Sequence, residues 1–442
     1  MKASCALAIA LLLGCGAVGA AALDTSSTAI HHRSSKEHLR QTHHAVIRHT
    51  VAHHTVTHTT AAAHRTTHTA SRTTRTVATH AATSTTRAHL RRAAIHRHRY
   101  YERFTASSFV NGAIGMGDIT AGEDPVIRQA AIDALGDMNG TAVVIDPSNG
   151  RILAMVNQKL ALSPGAEPCS TIKLTVALAA LSEGIVTRDT PVQLPGFRMN
   201  MTQALAHSNN LYFEEMGREL GFERVHHYAN EFGLGELAGY NIQGEQLGEY
   251  PDHPIPQSEG GVGRMCSFGQ GVSMTPLQLG ALVAAIANGG TLYYLQHPTT
   301  PEEVAEFQPR VKRVLNIAKY IPDVEDGMAG AVEYGTARSL RVNFRDLPVF
   351  GKTGTCSDDG TRFGWFTSLS NSPQGSLVTV FFLEGGRPTF GPKAAELTGE
   401  FYRNLWDRNY FTVKTQTAQA APAAVAPDLT PVSAPASTGA TR

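Results

Sequence analysis

The chain has 442 residues and a formal net charge of +1, a near-balance that conceals two oppositely charged parts. Between His31 and Arg99 stand 15 of the 20 histidines, eleven arginines and Lys36 against Glu37 alone, so this stretch carries +11 and the rest of the chain −10. Its apolar residues are too sparse to bury a core. That leaves about 300 foldable residues, enough for one large domain and too few for a second enzyme.

Met1-Lys2 is followed by an uncharged run from Ala3 to Leu23 ending near Ala20-Ala21-Ala22, which reads as a secretory signal over residues 1–23. An uncleaved anchor and a lipoprotein-type box at Leu12-Leu13-Gly14-Cys15 are the alternatives, and each exports the chain to the periplasm or cell envelope. Residues 24–103 read as a disordered arm rich in His, Thr and Arg. Its charge suits loose attachment to anionic cell-wall polymer or to a membrane surface, more so as His protonates, or a solvated spacer. Metal capture there is conceivable, but the histidine spacing is irregular and defines no structural site. No specific nucleic-acid partner is expected.

The folded segment, 104–410, opens at Asp124-Pro125, a good helix start, with Val126, Ile127, Ala130, Ala131, Ala134 and Leu135 at helical spacing. Thr141–Ile145 and Arg151–Val156 read as strands joined by the turn Asp146-Pro147-Ser148-Asn149-Gly150. A helix is expected to begin at Ser170, carry Leu174, Val176, Ala177, Ala180 and Leu181, and end at Gly184. Pro276–Ala287 reads as an apolar helix closed by Asn288-Gly289-Gly290. Val349–Thr355 reads as a strand, Phe363–Ser368 and Ser376–Leu383 as a hairpin, and Lys393–Trp406 as a closing amphipathic helix. The expected class is α+β, an α/β sandwich in which helices cover a central antiparallel sheet. The Ala-, Pro- and Thr-rich stretch 411–442 reads as a second disordered tail.

Cys169, Cys266 and Cys356 remain beyond the signal region. Three is odd, so at least one is free or paired between chains. A Cys169–Cys356 bridge is sterically possible if the segments carrying them converge, and the pairing stays open.

Three short patterns follow one another: Ser170-Thr171-Ile172-Lys173, Ser208-Asn209-Asn210 and Lys352-Thr353-Gly354-Thr355. Each alone is weak, because a capping serine, a polar turn and a Gly-containing edge strand are common. Together, in this order, they form the set S-x-x-K, S-x-N, K-T-G of active-serine acyl transfer. On a helix Ser170 and Lys173 share a face, and a dehydrated lysine can act as the base for the serine. Ser208 can relay a proton to the leaving amine, and Asn210 offers both donor and acceptor to a substrate amide. Lys352 supplies charge for a substrate carboxylate, with the Thr353 and Thr355 hydroxyls beside it. Gly354 lets a peptide approach the sheet edge, and the Thr355 and Ser170 N–H groups can form an oxyanion hole. His207 reads as a turn residue rather than a base, since no G-x-S-x-G surrounds a serine. Adjacent His226-His227 face different ways and no H-E-x-x-H occurs, so neither metal nor cofactor is expected.

With these motifs in place, the segment 104–410 resembles the transpeptidase domain of penicillin-binding proteins, within the penicilloyl-serine transferase and serine β-lactamase-like family. GTAVVIDPSNGRILAMV (140–156) resembles the family's opening hairpin, and ALAHSNNLYFEEMGRELGFERVHHYANEFGLG (204–235) is similar to its S-x-N region. SFGQGVSMTPLQLGALVAAIANGG (267–290), Gly335-Thr336-Ala337 and Trp365-Phe366 also match. The resemblance implies that Ser170 is acylated, that Lys173 is its base, and that Ser208, Asn210, Lys352, Thr353, Gly354 and Thr355 complete the site. It implies an exported D,D-transpeptidase or D,D-carboxypeptidase acting on peptidoglycan D-Ala-D-Ala stem peptides and inhibited by β-lactams. A class D-like serine β-lactamase and a non-turnover β-lactam or wall sensor are the alternatives. Cys169 departs from the family's usual glycine before the serine, a feature shared with some class D enzymes. The arm stands where a pedestal or glycosyltransferase domain is usual.

Overall fold

Helix α1 (Pro125–Leu135) begins where its sequence says it should. Asp124 Oδ1 accepts from the amides of Val126 and Ile127 at 2.9 and 3.1 Å, Pro125 takes the first turn, and Gly136 closes the helix at φ 57°. The computed structural model describes residues 105–372 and 375–412. The signal segment 1–23, the arm 24–103 and the tail past Thr412 lie outside the described residues. Phe411 is buried beside Leu405, so packing continues one residue past 410.

Strands β1 (Gly140–Asp146) and β2 (Arg151–Val156) form the expected hairpin. Strands β7 (Val349–Asp358), β8 (Thr361–Ser372) and β9 (Gly375–Gly385) supply the rest of a five-stranded antiparallel sheet of order β2-β1-β9-β8-β7. Between them lie α2 (Lys173–Ser182), the ribbon β3–β4 (Val192–Leu194, Phe197–Met199), α3 (Met201–Ala206) and α4 (Asn210–Glu231). There follow α5 (Gly261–Phe268), α6 (Pro276–Ala287), the ribbon β5–β6 (Thr291–Tyr293, Val311–Val314) and α7 (Ile321–Glu333). Helix α8 (Gly391–Asp407) ends the fold.

Period-two alternation divides the sheet between two cores. Val143, Ile145, Trp365, Val378, Val380 and Phe382 face α2 and α6, while Ala142, Val144, Phe366, Phe381 and Leu383 face α1 and α8. Both faces are covered, so the central strands carry buried residues on both sides, mostly apolar with Thr141, Thr367, Ser368 and Thr379 among them. Trp365 is fully buried and stacks on Phe382 with ring centroids 3.9 Å apart. At about 25 cal/mol per Å² over the 150–250 Å² an aromatic ring typically buries, each contributes roughly 4–6 kcal/mol before entropy is counted. The α+β sandwich read from the sequence is therefore the fold, and it leaves β7 at the sheet edge.

Candidate active site

The residue expected to start a helix instead sits just before it. Ser170 lies in a 3₁₀ turn, Cys169–Ile172, and α2 begins at Lys173. Pro168 O closes the turn, accepting from Thr171 N–H at 3.1 Å and Thr171 Oγ1 at 2.7 Å. Residues three apart nearly eclipse in a 3₁₀ turn, so the tighter geometry aligns Ser170 with Lys173 at least as well as an α-helix would. The result is Lys173 Nζ at 2.8 Å from Ser170 Oγ.

The second motif approaches from the α3–α4 junction. Ser208 holds φ 53°, and Asn209 caps α4 by accepting from Tyr212 N–H at 3.0 Å, which places Asn210 on the first turn. Lys173 Nζ reaches Asn210 Oδ1 at 2.7 Å, Ser208 O at 3.1 Å and Ser208 Oγ at 3.2 Å. Lys352 enters from β7 and donates to Ser208 Oγ and to Thr353 O, both at 2.8 Å. Ser170, Lys173, Ser208, Asn210 and Lys352 thus form one continuous polar network, assembled from segments far apart in sequence.

Both lysines are fully buried. Burial, the Lys352 charge next and Glu214 opposing them hold the Lys173 ammonium well below its ordinary pKa. Burial alone pushes Lys352 down to about 7. The Phe213 ring, centred 5.7 Å from Lys173 Nζ, is part of that apolar cover.

The third motif holds the floor. Thr353 Oγ1 lies 2.6 Å from Thr336 Oγ1, and Thr355 Oγ1 accepts from Gly391 N–H at 2.8 Å. Gly354 has a structural reason for lacking a side chain: a Cβ would stand 2.9 Å from Pro168 O and 3.1 Å from Trp365 Cβ. The glycine lets β7 pack against the turn that carries Ser170. Two further ties hold this turn to the sheet, one from β8 and one from β7. Trp365 Nε1 donates to Glu167 O at 3.0 Å, and Cys169 and Cys356 are joined in a disulfide with Cα atoms 5.5 Å apart. Cys266 is a buried free thiol.

Every residue taken from the three motifs falls in this region. The sequence quoted Thr336 and Trp365 within matching segments but gave them no role, and Glu214 and Phe213 carried no signal beyond their nearness to Asn210. Among the described residues, no three His, Cys, Asp or Glu side chains are grouped to hold a metal ion.

A serine bonded to a buried lysine, held beside an antiparallel sheet between two helical layers, is the arrangement that acyl transfer of the penicillin-binding kind would need. The penicillin binding protein transpeptidase domain matches residues 140–401, and the chain belongs to that family. It is 28% identical to stage V sporulation protein D of Bacillus subtilis (strain 168) over 316 residues, 60% of this chain and 48% of that protein. It is 29% identical to penicillin-binding protein PbpB of Mycolicibacterium smegmatis over 286 residues, 54% of this chain and 43% of the other. It is 26% identical to peptidoglycan D,D-transpeptidase MrdA of Escherichia coli (strain K12) over 266 residues, 52% and 41% of the two. The chain thus spans less than half of each of these relatives. The crystal structure of a peptidoglycan glycosyltransferase from Burkholderia ambifaria shares the fold, with a TM-score of 0.55 at 20% identity over 65% of this chain and 98% of the other.

Proposed function

We propose that the chain is an exported active-serine D,D-transpeptidase or D,D-carboxypeptidase, acylated at Ser170 by the D-Ala-D-Ala end of a peptidoglycan stem peptide and, equally, by β-lactams. The observation that carries this reading is the set of oxygens around Lys173 Nζ. Asn210 Oδ1 and the Ser208 carbonyl accept only, at 2.7 and 3.1 Å, while Ser170 Oγ at 2.8 Å can donate. A neutral amine satisfies this set by giving its two N–H bonds to the acceptors and turning its lone pair to the serine hydroxyl. The lowered pKa of Lys173 favours that state.

In this reading Lys173 takes the Ser170 proton as Oγ attacks the carbonyl carbon. The developing oxyanion is met by the Ser170 and Thr355 N–H groups. Ser208, between the two lysines, passes the proton to the leaving D-Ala amine. Lys352, Thr353 and Thr355 receive the substrate carboxylate, and Asn210 the stem-peptide amide. An amine or water then resolves the ester. The signal segment would export the chain, and the +11 arm would hold it to anionic wall polymer or membrane surface.

Intact-mass spectrometry with benzylpenicillin, followed over hours, tests this. Ser170 should gain the drug's mass and keep it for minutes or longer, while Ser170→Ala gains none. Rapid turnover of nitrocefin at about 1–10³ per second with no adduct would favour the β-lactamase alternative.

A further inference from the structure

Ser170 and Thr355 both neighbour a bridged cysteine. Cys169 supplies the carbonyl of the peptide bond whose nitrogen belongs to Ser170, and Cys356 follows Thr355 directly. The bridge spans 187 residues of sequence and fixes the two Cα atoms 5.5 Å apart. One side is a short 3₁₀ turn with no side-chain cap. The other is the edge strand of the sheet, whose last two residues, Ser357 and Asp358, are exposed. Without the bridge, the turn meets β7 at Gly354, and the Trp365–Glu167 hydrogen bond ties the residues just before the turn to β8. Cys169 also holds φ 51°, a left-handed conformation that glycine adopts freely and other residues rarely. A cysteine there disfavours its own backbone conformation, and the covalent bond holds it in place.

We propose that the Cys169–Cys356 disulfide is a positioning clamp for the oxyanion hole: it fixes the separation of the Ser170 and Thr355 amides, and acylation is slow without it. This rests on the acyl-transfer reading above. Two donors act on an oxyanion only when both lie at hydrogen-bond distance from one point, and a displacement near 1 Å can cost about 10²-fold in rate. The surviving contacts hold the strand end to the sheet, through the β7–β8 pairing out to Asp358 and the Gly391 N–H bond to Thr355 Oγ1, rather than to the turn that carries Ser170. The clamp therefore acts on the transition state and not on initial binding.

The test uses the full chain in three forms: oxidised; reduced with a water-soluble phosphine and then freed of it; and Cys169→Gly/Cys356→Ala. In the reduction two electrons pass from phosphorus to the disulfide, two protons come from water, and the phosphine leaves as its oxide, so the protein gains two hydrogen atoms, checked by mass. The double variant keeps the left-handed turn natural and removes only the bond. Acylation by benzylpenicillin at increasing concentration separates the saturation constant from the limiting rate. Both bridge-free forms are expected to lose about tenfold to 10²-fold in limiting rate with a saturation constant within about threefold of the oxidised chain. Reoxidation should restore the reduced form. Limiting rates within about threefold of the oxidised chain in either bridge-free form would overturn the clamp. So would loss of cooperative folding in the reduced chain at the assay temperature, because the bridge would then act on stability alone. An oxidised chain that forms no adduct defeats the acyl-transfer reading itself, a separate outcome visible before any bridge is broken.

Discussion

Replacing Lys352 with methionine should make the protein more stable, and the gain should depend on pH. Lys352 is fully buried, and burial moves its pKa from 10.5 in the unfolded chain to about 7 in the folded one. Between those values the unfolded chain holds a proton that the folded chain has released, so folding becomes more favourable as pH rises. The cost of the lysine is thus absent above about pH 10.5, grows by roughly 1.4 kcal/mol per unit as pH falls, and reaches about 5 kcal/mol below pH 7. Methionine has a similar unbranched length and no charge to dehydrate. It forfeits the bonds to Ser208 Oγ and Thr353 O, which offsets about 1–3 kcal/mol of the gain. The net expectation is a variant about 2–4 kcal/mol more stable than the parent at pH 6.5, with no advantage left near pH 10. Urea unfolding of both proteins at pH 6.5, 8 and 9.5 gives the difference directly. A difference that does not shrink with rising pH would refute the depressed pKa. A variant less stable at every pH would show that the hydrogen bonds outweigh the dehydration.

Lys173→Met should slow acylation by benzylpenicillin about 10²–10⁴-fold while leaving the chain folded; a loss under tenfold would remove Lys173 from the role of base. In the parent, acylation should persist as pH falls well below the ordinary lysine range, since the depressed Lys173 amine stays neutral and able to act as base there; a decline beginning near pH 10 would mean the amine titrates as an ordinary lysine. Gly354→Ala should lower stability by about 1–3 kcal/mol, read by thermal melting, because its Cβ meets Pro168 O at 2.9 Å. Asp124→Ala should cost about 1 kcal/mol through loss of the α1 cap, without changing acylation, and an altered acylation rate would tie α1 to the site.

Local signals made the fold legible where they were strong. The turn Asp146-Pro147-Ser148-Asn149-Gly150 between two β-rich runs located the first hairpin, and Asp124-Pro125 located α1. The Ser170–Lys173 spacing brought the two side chains together as read, although a 3₁₀ turn and not an α-helix carries the serine. Features that depend on distant segments meeting were not legible. Lys352 and Ser208 stand 144 residues apart, and nothing in V-F-G-K-T-G-T says which neighbours that lysine will have. The disulfide pairing stayed open for the same reason, as did the role of Gly354, whose missing side chain is explained by Pro168 across the fold. The length of α4 hid a break at Gly221, where φ 72° and ψ 163° interrupt the helix between two amphipathic halves. The ribbons β3–β4 and β5–β6 are only three or four residues per strand, too short for alternation to register.

In the proposed reaction, Ser208 gives a reason for burying two lysines beside one hydroxyl at a cost to stability. Its hydroxyl lies 3.2 Å from Lys173 Nζ and 2.8 Å from Lys352 Nζ, yet it has one proton to give. With Lys352 protonated and Lys173 neutral, Lys352 donates to Ser208 Oγ, leaving the hydroxyl proton free to point towards the leaving group. Once Lys173 has taken the serine proton, Ser208 can accept from Lys173 and donate onward in the same motion. That relay needs the hydroxyl fixed between both amines, and Ser208 is held there at φ 53°, a left-handed conformation a non-glycine residue keeps only when its surroundings enforce it. The enforcing contacts are the capped start of α4 on one side and Lys173 bonded to the Ser208 carbonyl on the other. The charge on Lys352 disfavours a second charge on Lys173 and adds to burial in lowering the Lys173 pKa. A neutral Lys173 beside a hydroxyl that Lys352 holds in place is what general base followed by general acid catalysis would require.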